Sequence, residues 1–581
     1  MSLGKKNKKA LKPSIHFEVV AKHVMNTPET LVAESLQGLC YAHPHLRWME
    51  KEKDIKTMAS EQVTLISGGG SGHEPGYTGM VGKGGLAANV CGPLFASPSA
   101  SQVMAAIEQV QSPHGTLVIV MNYTGDCLHF GLAVERARAK GIKVDLVAVG
   151  DDVSVGRSKG DKVGRRGMAA TACVIKLAGA LAARGASLES IHQHVMSAID
   201  HSATLAVAFD HCHLPGSRSS ARLGSDELEL GMGIHNETGY LKTKMMPAKE
   251  MVGKMMRMLT DDQDLDRAYL QLEKGDSVVV LVNNLGGMPW VELNLVVKET
   301  VDWVLQQQLS LERVYVGSFV TSLNMPGFSI SLLVVKDEEV LSLLDHKVAL
   351  SGWPAAAARS FSVDIKEDQQ TSPRLPPPVA LQVVEPNLLE AVIRGAAHAV
   401  IQAEPEITYY DTVLGDGDCG QTLKTAASTI LTRLPSYPLQ STPGTLLAMA
   451  ETIESSVGGT SCAIYCIFLN ALASGLLKKP SWVSAAQYAL QALMTYTKAR
   501  VGDRTLMDTL CPFIDGLSHH SLEEAVRLAQ AGAERTRVMS ARLGRSSYLS
   551  DEQVLAAHVP DAGAYGLAEL LKGMAEAIKM F

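Results

Sequence analysis

Three apolar, β-branched runs occupy 63–67, 116–122 and 143–149, and each ends in glycine or polar residues: SGGGSG, NYTGD and GDD. Between them, apolar residues recur at helical spacing over 100–110 and 131–139. This alternation predicts an α/β domain with a largely parallel sheet, covered on both faces because its strands are apolar throughout. Ligands of such sheets sit beyond the carboxyl ends of the strands, where all three loops fall. A second α/β unit is expected from 277–282, which ends in NNLGG, and from 313–320 and 328–335 around SLNMPG. The less regular stretch 201–239 lies between the two units.

From Ser351 the texture changes. The stretch beginning SGWPAAAARS has little periodicity, and Pro376, Pro377 and Pro378 are stiff and extended, as in a linker. Beyond Asn387 the chain is rich in Ala and Leu, with six segments of helical spacing and almost no strand signal. The expected organisation is multidomain: two α/β subdomains at 15–200 and 201–355, a linker at 356–385, and an all-α domain of helix-bundle type at 386–581.

Composition narrows the function classes. With 53 Lys and Arg against 60 Asp and Glu, the net charge of −7 argues against a general nucleic-acid binder. The basic run KKNKK near the start reads as a solvated end. Nine cysteines without a C-x-x-C pair offer neither a zinc site nor a disulfide framework, which fits a reducing compartment. No stretch is read as long and apolar enough to span a bilayer. No signal peptide is visible and the last three residues, KMF, are not the usual peroxisomal signal, so cytoplasm is the expected location.

In the helical part, Asp411, Asp416 and Asp418 crowd around two glycines in YYDTVLGDGDCG. Three carboxylates this close repel one another unless a cation joins them, and hard oxygen ligands suit Mg²⁺ or Ca²⁺. The loop lacks the twelfth-position glutamate of an EF-hand. Around 457–461, 501–505, 543–547 and 560–564, loops of Gly, Thr, Ser and Asp recur, the first two of them preceding helices. Each taken singly is ordinary helix capping. Together with the aspartates, they point to a Mg-nucleotide site at helix N-termini.

In the α/β part, His73 follows the Gly/Ser stretch, Asp126 ends the NYTGD loop, and His235 lies between glycines in GMGIHNETG. A lone histidine is usually a surface or satisfied core residue. Two in glycine-framed loops, with a carboxylate at a strand tip, are candidates for nucleophilic and acid/base work.

Taken in order, SGGGSGHEP, NYTGD, GDDVSVGRSKG, GRRG, GMGIHNETG, VNNLGG, GDGDCG, GGTSCAIY, GRSSY and DAGA resemble the motifs of the single-chain, ATP-dependent dihydroxyacetone kinases (triokinases), from about Ile15 to Lys579. The resemblance implies a substrate domain of two α/β subdomains, a C-terminal barrel of antiparallel helices binding ATP and Mg²⁺, and a homodimer. It implies that His235 attacks the C2 carbonyl as a covalent hemiaminal nucleophile. Gly70, Ser71, Gly72 and His73 match residues gripping the substrate, and His73 and Asp126 match acid/base residues near the phosphorylated hydroxyl. Asp411, Asp416 and Asp418 match the Mg²⁺ ligands. Cys419, Gly420, Thr422, Gly459, Thr460, Ser461, Gly502, Arg504, Asp561 and Gly563 fall in the expected nucleotide loops, with Arg504 assigned to phosphate charge. An FAD-splitting activity that forms cyclic FMN at the same nucleotide site, and a non-catalytic binding role, are the competing readings.

The sequence departs from that pattern at two positions. Met121 stands where the family has the lysine of KNYTGD, and Tyr77 where it has the second histidine of HEPAH. Methionine has no hydrogen to donate to a substrate oxygen. Loss of a charged donor costs about 1.5–3 kcal/mol, roughly ten- to a hundredfold in affinity. Weaker substrate binding or a shifted preference is therefore expected.

Overall fold

The computed structural model describes residues 23–49, 54–56, 61–160, 164–216, 223–354, 381–543 and 545–581. The chain divides into two compact units, Met1–Lys366 and Glu367–Phe581. The basic run near the start, the linker up to residue 380 and Gly544 of GRSSY lie outside the described residues.

The first unit holds two six-stranded sheets. In the first, β1 (Arg47–Met49), β2 (Asp54–Lys56), β3 (Thr64–Ser71), β4 (Ala88–Leu94), β5 (Thr116–Met121) and β6 (Val144–Val149) are arranged in the order β1-β2-β4-β3-β5-β6. The four strands from β4 to β6 are mutually parallel, as expected, and β1 and β2 form an antiparallel edge. Helices Ala100–Val110 and Thr124–Ala139 cover one face; Ala170–Ala183 and Leu188–Asp200 pack on the other. Helix Ala100–Val110 starts at a capping box, in which Ser99 and Gln102 each accept from the other's backbone N–H.

The glycines after Ile66 are not a loop. β3 continues through SGGGS to Ser71, with a shift in its register against β4 between Gly69 and Ser71. A Cβ on Gly68 would collide with the carbonyl of Val90, so the glycine lets β4 lie close.

The second sheet orders β7 (Ser202–Ala208), β8 (Glu227–Leu230), β9 (Leu241–Lys244), β10 (Ser277–Asn284), β11 (Ser310–Gly317) and β12 (Gly327–Val334) as β11-β10-β12-β7-β8-β9. Only β10 and β11 pair in parallel; the other pairs are antiparallel. Apolar run length, the signal read in the sequence, does not encode strand direction.

Asp151 and Asp152 of GDD join the two sheets. Asp151 accepts from the N–H groups of Met168 and Ala170 and from the Thr204 hydroxyl of β7. Burial pushes its carboxyl up to about 6, against the pull of those hydrogen bonds.

The second unit is a ring of eight long helices among the described residues: Pro386–Leu414, Cys419–Arg433, Thr442–Ser456, Gly459–Lys478, Trp482–Tyr496, Met507–His519, Leu522–Arg535 and Ala562–Met580. Each packs on the next, and the last closes on the first. Gly395 and Gly573 face each other at that closure, where a Cβ on Gly395 would lie 2.6 Å from the Gly573 carbonyl oxygen. The ring encloses an apolar cavity of about 540 Å³, lined by Leu389, Ile393, Leu423, Phe468, Leu510 and Leu571 among others.

That cavity corrects one expectation from the sequence. Helix Gly459–Lys478, with 20 residues, is long and apolar enough by composition to cross a membrane. Its Ile464, Phe468, Leu469 and Leu472 face the cavity, which accounts for an apolarity beyond that of an ordinary amphipathic helix.

Candidate functional site

The substrate-side candidates converge between the carboxyl ends of β3 and β5 in the first sheet and the segments that follow β8 and β11 in the second. His73 follows β3, and its carbonyl and that of Gly72 accept from Thr321 N at 3.1 Å and Leu323 N at 2.9 Å. The segment 319–323 is itself held by Asn283 at the end of β10. Asn283 Oδ1 accepts from Phe319 N and Val320 N at 2.8 and 3.0 Å, and its amide donates to the Val320 carbonyl at 2.7 Å. Ser322 Oγ donates to the Ile234 carbonyl at 2.6 Å, which fixes the backbone next to His235.

This frame brings together residues far apart in the chain. His73 Nδ1 lies 2.8 Å from the Thr321 carbonyl oxygen, and its Nε2 lies 3.0 Å from His235 Nε2. His235 Nδ1 is 2.9 Å from Glu237 Oε1, while Glu237 Oε2 accepts from His235 N at 2.8 Å. Phe95 stacks on His73 with ring centroids 5.0 Å apart, and Tyr123 and Phe95 meet His235 edge-on at 4.8 and 5.1 Å. Two faces of the His235 imidazole environment are thus aromatic, and its two nitrogens face a carboxylate and a second imidazole.

Asp126 sits in the first turn of helix Thr124–Ala139 and is 6% exposed. Its Oδ1 is buried without a hydrogen-bond partner. Burial raises its carboxyl, against the downward pull of the Ser97 hydroxyl, His235 and His129. A buried acceptor left open near His235 is suited to take a proton from a bound hydroxyl.

The glycine-rich residues play less uniform parts than the sequence pattern suggests. Ser71 Oγ donates to the Gly92 carbonyl at 2.7 Å, so its hydroxyl is committed to β4. Gly70 lies within β3, against the backbone of Phe95 and Ala96. Gly72 N donates to the Glu74 carboxylate at 3.0 Å. Met121 is fully buried and shares an apolar cluster with Tyr77, which is 5% exposed. The Tyr77 ring lies against Gly69, on the side where Asp126 Oδ2 also approaches.

Four contributors were not singled out in the sequence. Glu237, Phe95, Tyr123 and Thr321 surround the two histidines. Glu237 had a readable signal, a carboxylate two residues after a glycine-framed histidine. Tyr123 stands within NYTGD, whereas Phe95 and Thr321 are placed by backbone hydrogen bonds to Ser71 and His73, which leave no local trace.

In the second unit, the carboxylate oxygens of Asp411, Asp416 and Asp418 lie within 4.8 Å of one another. Asp411 ends helix Pro386–Leu414, and its Oδ2 accepts from Cys419 N at 3.0 Å at the start of the next helix. Hard oxygens grouped this tightly, two of them on exposed side chains, fit a divalent cation such as Mg²⁺. Gly420 packs against Thr408 and Glu404 of the preceding helix, and Thr422 N donates to the Asp418 carbonyl at 2.9 Å.

The other expected nucleotide loops approach the same place. Burial, with Asp411 and Asp561 close by, pushes the Cys419 thiol up to about 12, and the Ser461 side chain reaches it from the start of helix Gly459–Lys478. Gly459 and Thr460 form that helix start. Asp561 caps helix Ala562–Met580 through Ala564 N at 2.8 Å, beside Gly563. Its carboxyl is pushed up to about 6 by burial, offset by the cap and by Arg504. Gly502 N donates to Asp508 Oδ1 at 2.6 Å. Arg504 is 2% exposed and donates to the carbonyls of Thr536 and Val559 at 3.1 and 2.8 Å. Its guanidinium therefore ties loops together, which sets it apart from a free phosphate ligand.

Comparisons with known proteins agree across both units. Residues 37–352 match the Dak1 domain and residues 413–576 the DAK2 domain. The chain is 40% identical over 579 residues to dihydroxyacetone kinase 2 of Saccharomyces cerevisiae, covering 94% of this chain and 98% of that protein. It is 35% identical to the triokinase/FMN cyclase of Homo sapiens, over 97% of this chain and 100% of that one. The crystal structure of the dihydroxyacetone kinase from C. freundii in complex with AMP-PNP and Mg²⁺ superposes with a TM-score of 0.64 at 31% identity, covering 96% of this chain and 100% of that one.

Proposed function

Because the chain belongs to the dihydroxyacetone kinase family, we propose that it transfers the γ-phosphoryl group of ATP to dihydroxyacetone, with D-glyceraldehyde as a second acceptor to be tested. The observation that carries this reading is the contact of His73 with His235, with Asp126 close enough to His235 for its carboxyl to feel that charge.

His235 is the nucleophile toward the C2 carbonyl, forming a hemiaminal. A three-carbon ketose offers little surface to bind, and covalent capture fixes its position and rejects glycerol, which has no carbonyl. Once the carbon chain is fixed, a terminal hydroxyl is held at high effective concentration. Asp126, with its open Oδ1, accepts the proton of that hydroxyl. Phe95 and Tyr123 wall the histidines. In the second unit, Asp411, Asp416 and Asp418 would hold Mg²⁺, which supplies charge neutralisation for the nucleotide phosphates. Gly459, Thr460, Ser461, Gly563 and the helix starts around them are the phosphate and nucleoside contacts. A homodimer is part of the same reading.

Met121 and Tyr77 set this chain apart within the family. With no ammonium group at position 121, dihydroxyacetone binds more weakly or another small carbonyl compound binds better.

Phosphorus NMR of the protein with Mg-ATP and dihydroxyacetone tests the reading. Dihydroxyacetone phosphate is expected, and its loss in His235→Ala. ATP left intact, with the protein folded, contradicts a kinase. The likeness to a triokinase/FMN cyclase favours one second activity, cyclic FMN formation from FAD with Mn²⁺. It would appear as a cyclic phosphodiester and survive His235→Ala.

A further inference from the structure

Tyr77 ends the stretch SGGGSGHEPGY, and its side chain turns back onto β3. A Cβ on Gly69 would lie 3.4 Å from the Tyr77 hydroxyl oxygen and 3.6 Å from Asp126 Oδ2. The phenol and the carboxylate thus flank the same bare stretch of backbone. Tyr77 is 5% exposed and Asp126 6%. Among the described residues the Tyr77 hydroxyl makes no hydrogen bond, and Asp126 Oδ1 is buried without a partner. Buried polar groups are nearly always paired, so two left open side by side point to a ligand that pairs them.

The two groups define the chemistry of that ligand. Burial raises the Tyr77 phenol well above its ordinary value, and the charges of Asp126 and Asp151 add to this, so the phenol keeps its proton and donates. The Asp126 carboxylate accepts. A carbonyl oxygen accepts without donating and an ammonium donates without accepting, whereas a hydroxyl does both.

Neighbouring groups leave this part to Tyr77. The Asp151 carboxylate is taken up by Met168 N, Ala170 N and the Thr204 hydroxyl. The Tyr123 hydroxyl donates to the Gly167 carbonyl at 3.2 Å. Met121, at the end of β5, has no hydrogen to donate.

We infer that Tyr77 is a substrate-binding residue: its hydroxyl donates to the oxygen of the substrate hydroxyl whose proton Asp126 accepts, and the pair selects a ketone or aldehyde hydroxylated on the carbon next to the carbonyl. The inference rests on the kinase reading above.

The placement of the groups agrees with such a substrate. The charge of His235 reaches Asp126, and the Tyr123 ring meets His235 edge-on at 4.8 Å while its phenol is acted on by Tyr77. A carbonyl carbon at His235 therefore directs the hydroxyl of its neighbouring carbon toward Asp126 and Tyr77. The phenol stays a neutral donor throughout, and the only proton to move at this end is the one passing to Asp126. A neutral donor holds an oxygen less strongly than an ammonium group does, in keeping with the weaker binding expected from Met121.

Tyr77→Phe tests the inference, because it removes the hydroxyl and keeps the ring. In the full chain without nucleotide, the dissociation constant of dihydroxyacetone by titration calorimetry should rise about five- to tenfold. KM for dihydroxyacetone should rise as much, with kcat changed less than about twofold, as for a contact made equally in the ground and transition states. The melting temperature without substrate should stay or increase, because the lost hydroxyl had no partner; a hydroxyl with a structural role would lower it. Gly69→Ala sets a methyl group where the substrate hydroxyl lies and should weaken binding at least tenfold with the melting temperature unchanged. Dihydroxyacetone bound and phosphorylated equally well by Tyr77→Phe overturns the inference and leaves the kinase reading intact; a bound water then pairs the two groups. An unaltered protein that neither binds nor phosphorylates dihydroxyacetone overturns the kinase reading and this inference with it.

Discussion

His73 and His235 meet Nε2 to Nε2 at 3.0 Å although 162 residues separate them. Neither sheet makes this contact alone. The turn after β3 carries His73, the segment after β8 carries His235, and the Thr321–Leu323 stretch is bonded to both through Thr321 N, Leu323 N and Ser322 Oγ. The chemistry of the pocket therefore depends on how the two sheets are joined.

Asp126→Asn keeps the size of the side chain and removes the proton acceptor. Phosphorylation should fall by roughly 10²–10⁴-fold in kcat, while ketone capture on His235, read by ¹³C NMR, persists. Equal loss of both would mean that Asp126 serves binding.

The pH dependence of that step follows from burial. The Asp126 carboxyl is raised, and only its ionised form accepts a proton. The rate should therefore fall as pH drops through a value above that of an ordinary aspartate, and the acid limb should vanish in the residual activity of Asp126→Asn. A limb at the usual carboxylate position would contradict this.

Met121 is fully buried, in the same apolar cluster as Tyr77. Met121→Lys should tighten dihydroxyacetone binding by about ten- to a hundredfold and lower thermal stability, because an ammonium enters an apolar cluster. Saturation of the unaltered protein at micromolar dihydroxyacetone, with no gain in the variant, would remove Met121 as the cause of any difference.

Asp416→Asn and Asp418→Asn alter exposed residues of the carboxylate cluster. Each should weaken Mg-nucleotide binding at least tenfold by titration calorimetry, with little change in melting temperature. Unchanged binding in both would place the cation elsewhere.

Much of the architecture is legible in the chain. The run at 116–122 is β5, Thr116–Met121, and the α/β part is followed by an all-helical one. What escaped has physical causes. Helix Met507–His519 contains Pro512, and helix Pro386–Leu414 runs on past Pro405, where a sequence reading ends the segment. Helix Cys419–Arg433 carries enough Thr, Ser, Gln and Lys to blur its apolar stripe. The glycines of β3 look like a loop because their reason, the close approach of β4, lies in another strand. In the pocket, His73, His235 and Asp126 stand in motifs. Thr321 and Phe95 stand in none, because backbone pairing across the unit brings them there.

Gly68→Ala probes that close approach directly. A methyl group against the Val90 carbonyl should cost about 1–3 kcal/mol and lower the melting temperature by roughly 2–8 °C. An unchanged melting curve would mean that β3 and β4 separate easily.

The most direct measurement is a ¹³C spectrum of the protein with [2-¹³C]dihydroxyacetone, taken beside phosphorus NMR of the same sample with Mg-ATP. The carbonyl resonance should move to that of a tetrahedral carbon in the unaltered protein and stay in place in His235→Ala, with dihydroxyacetone phosphate formed only by the former. Phosphorylation that continues in His235→Ala, or proceeds while the carbonyl carbon remains untouched, would contradict covalent capture by His235.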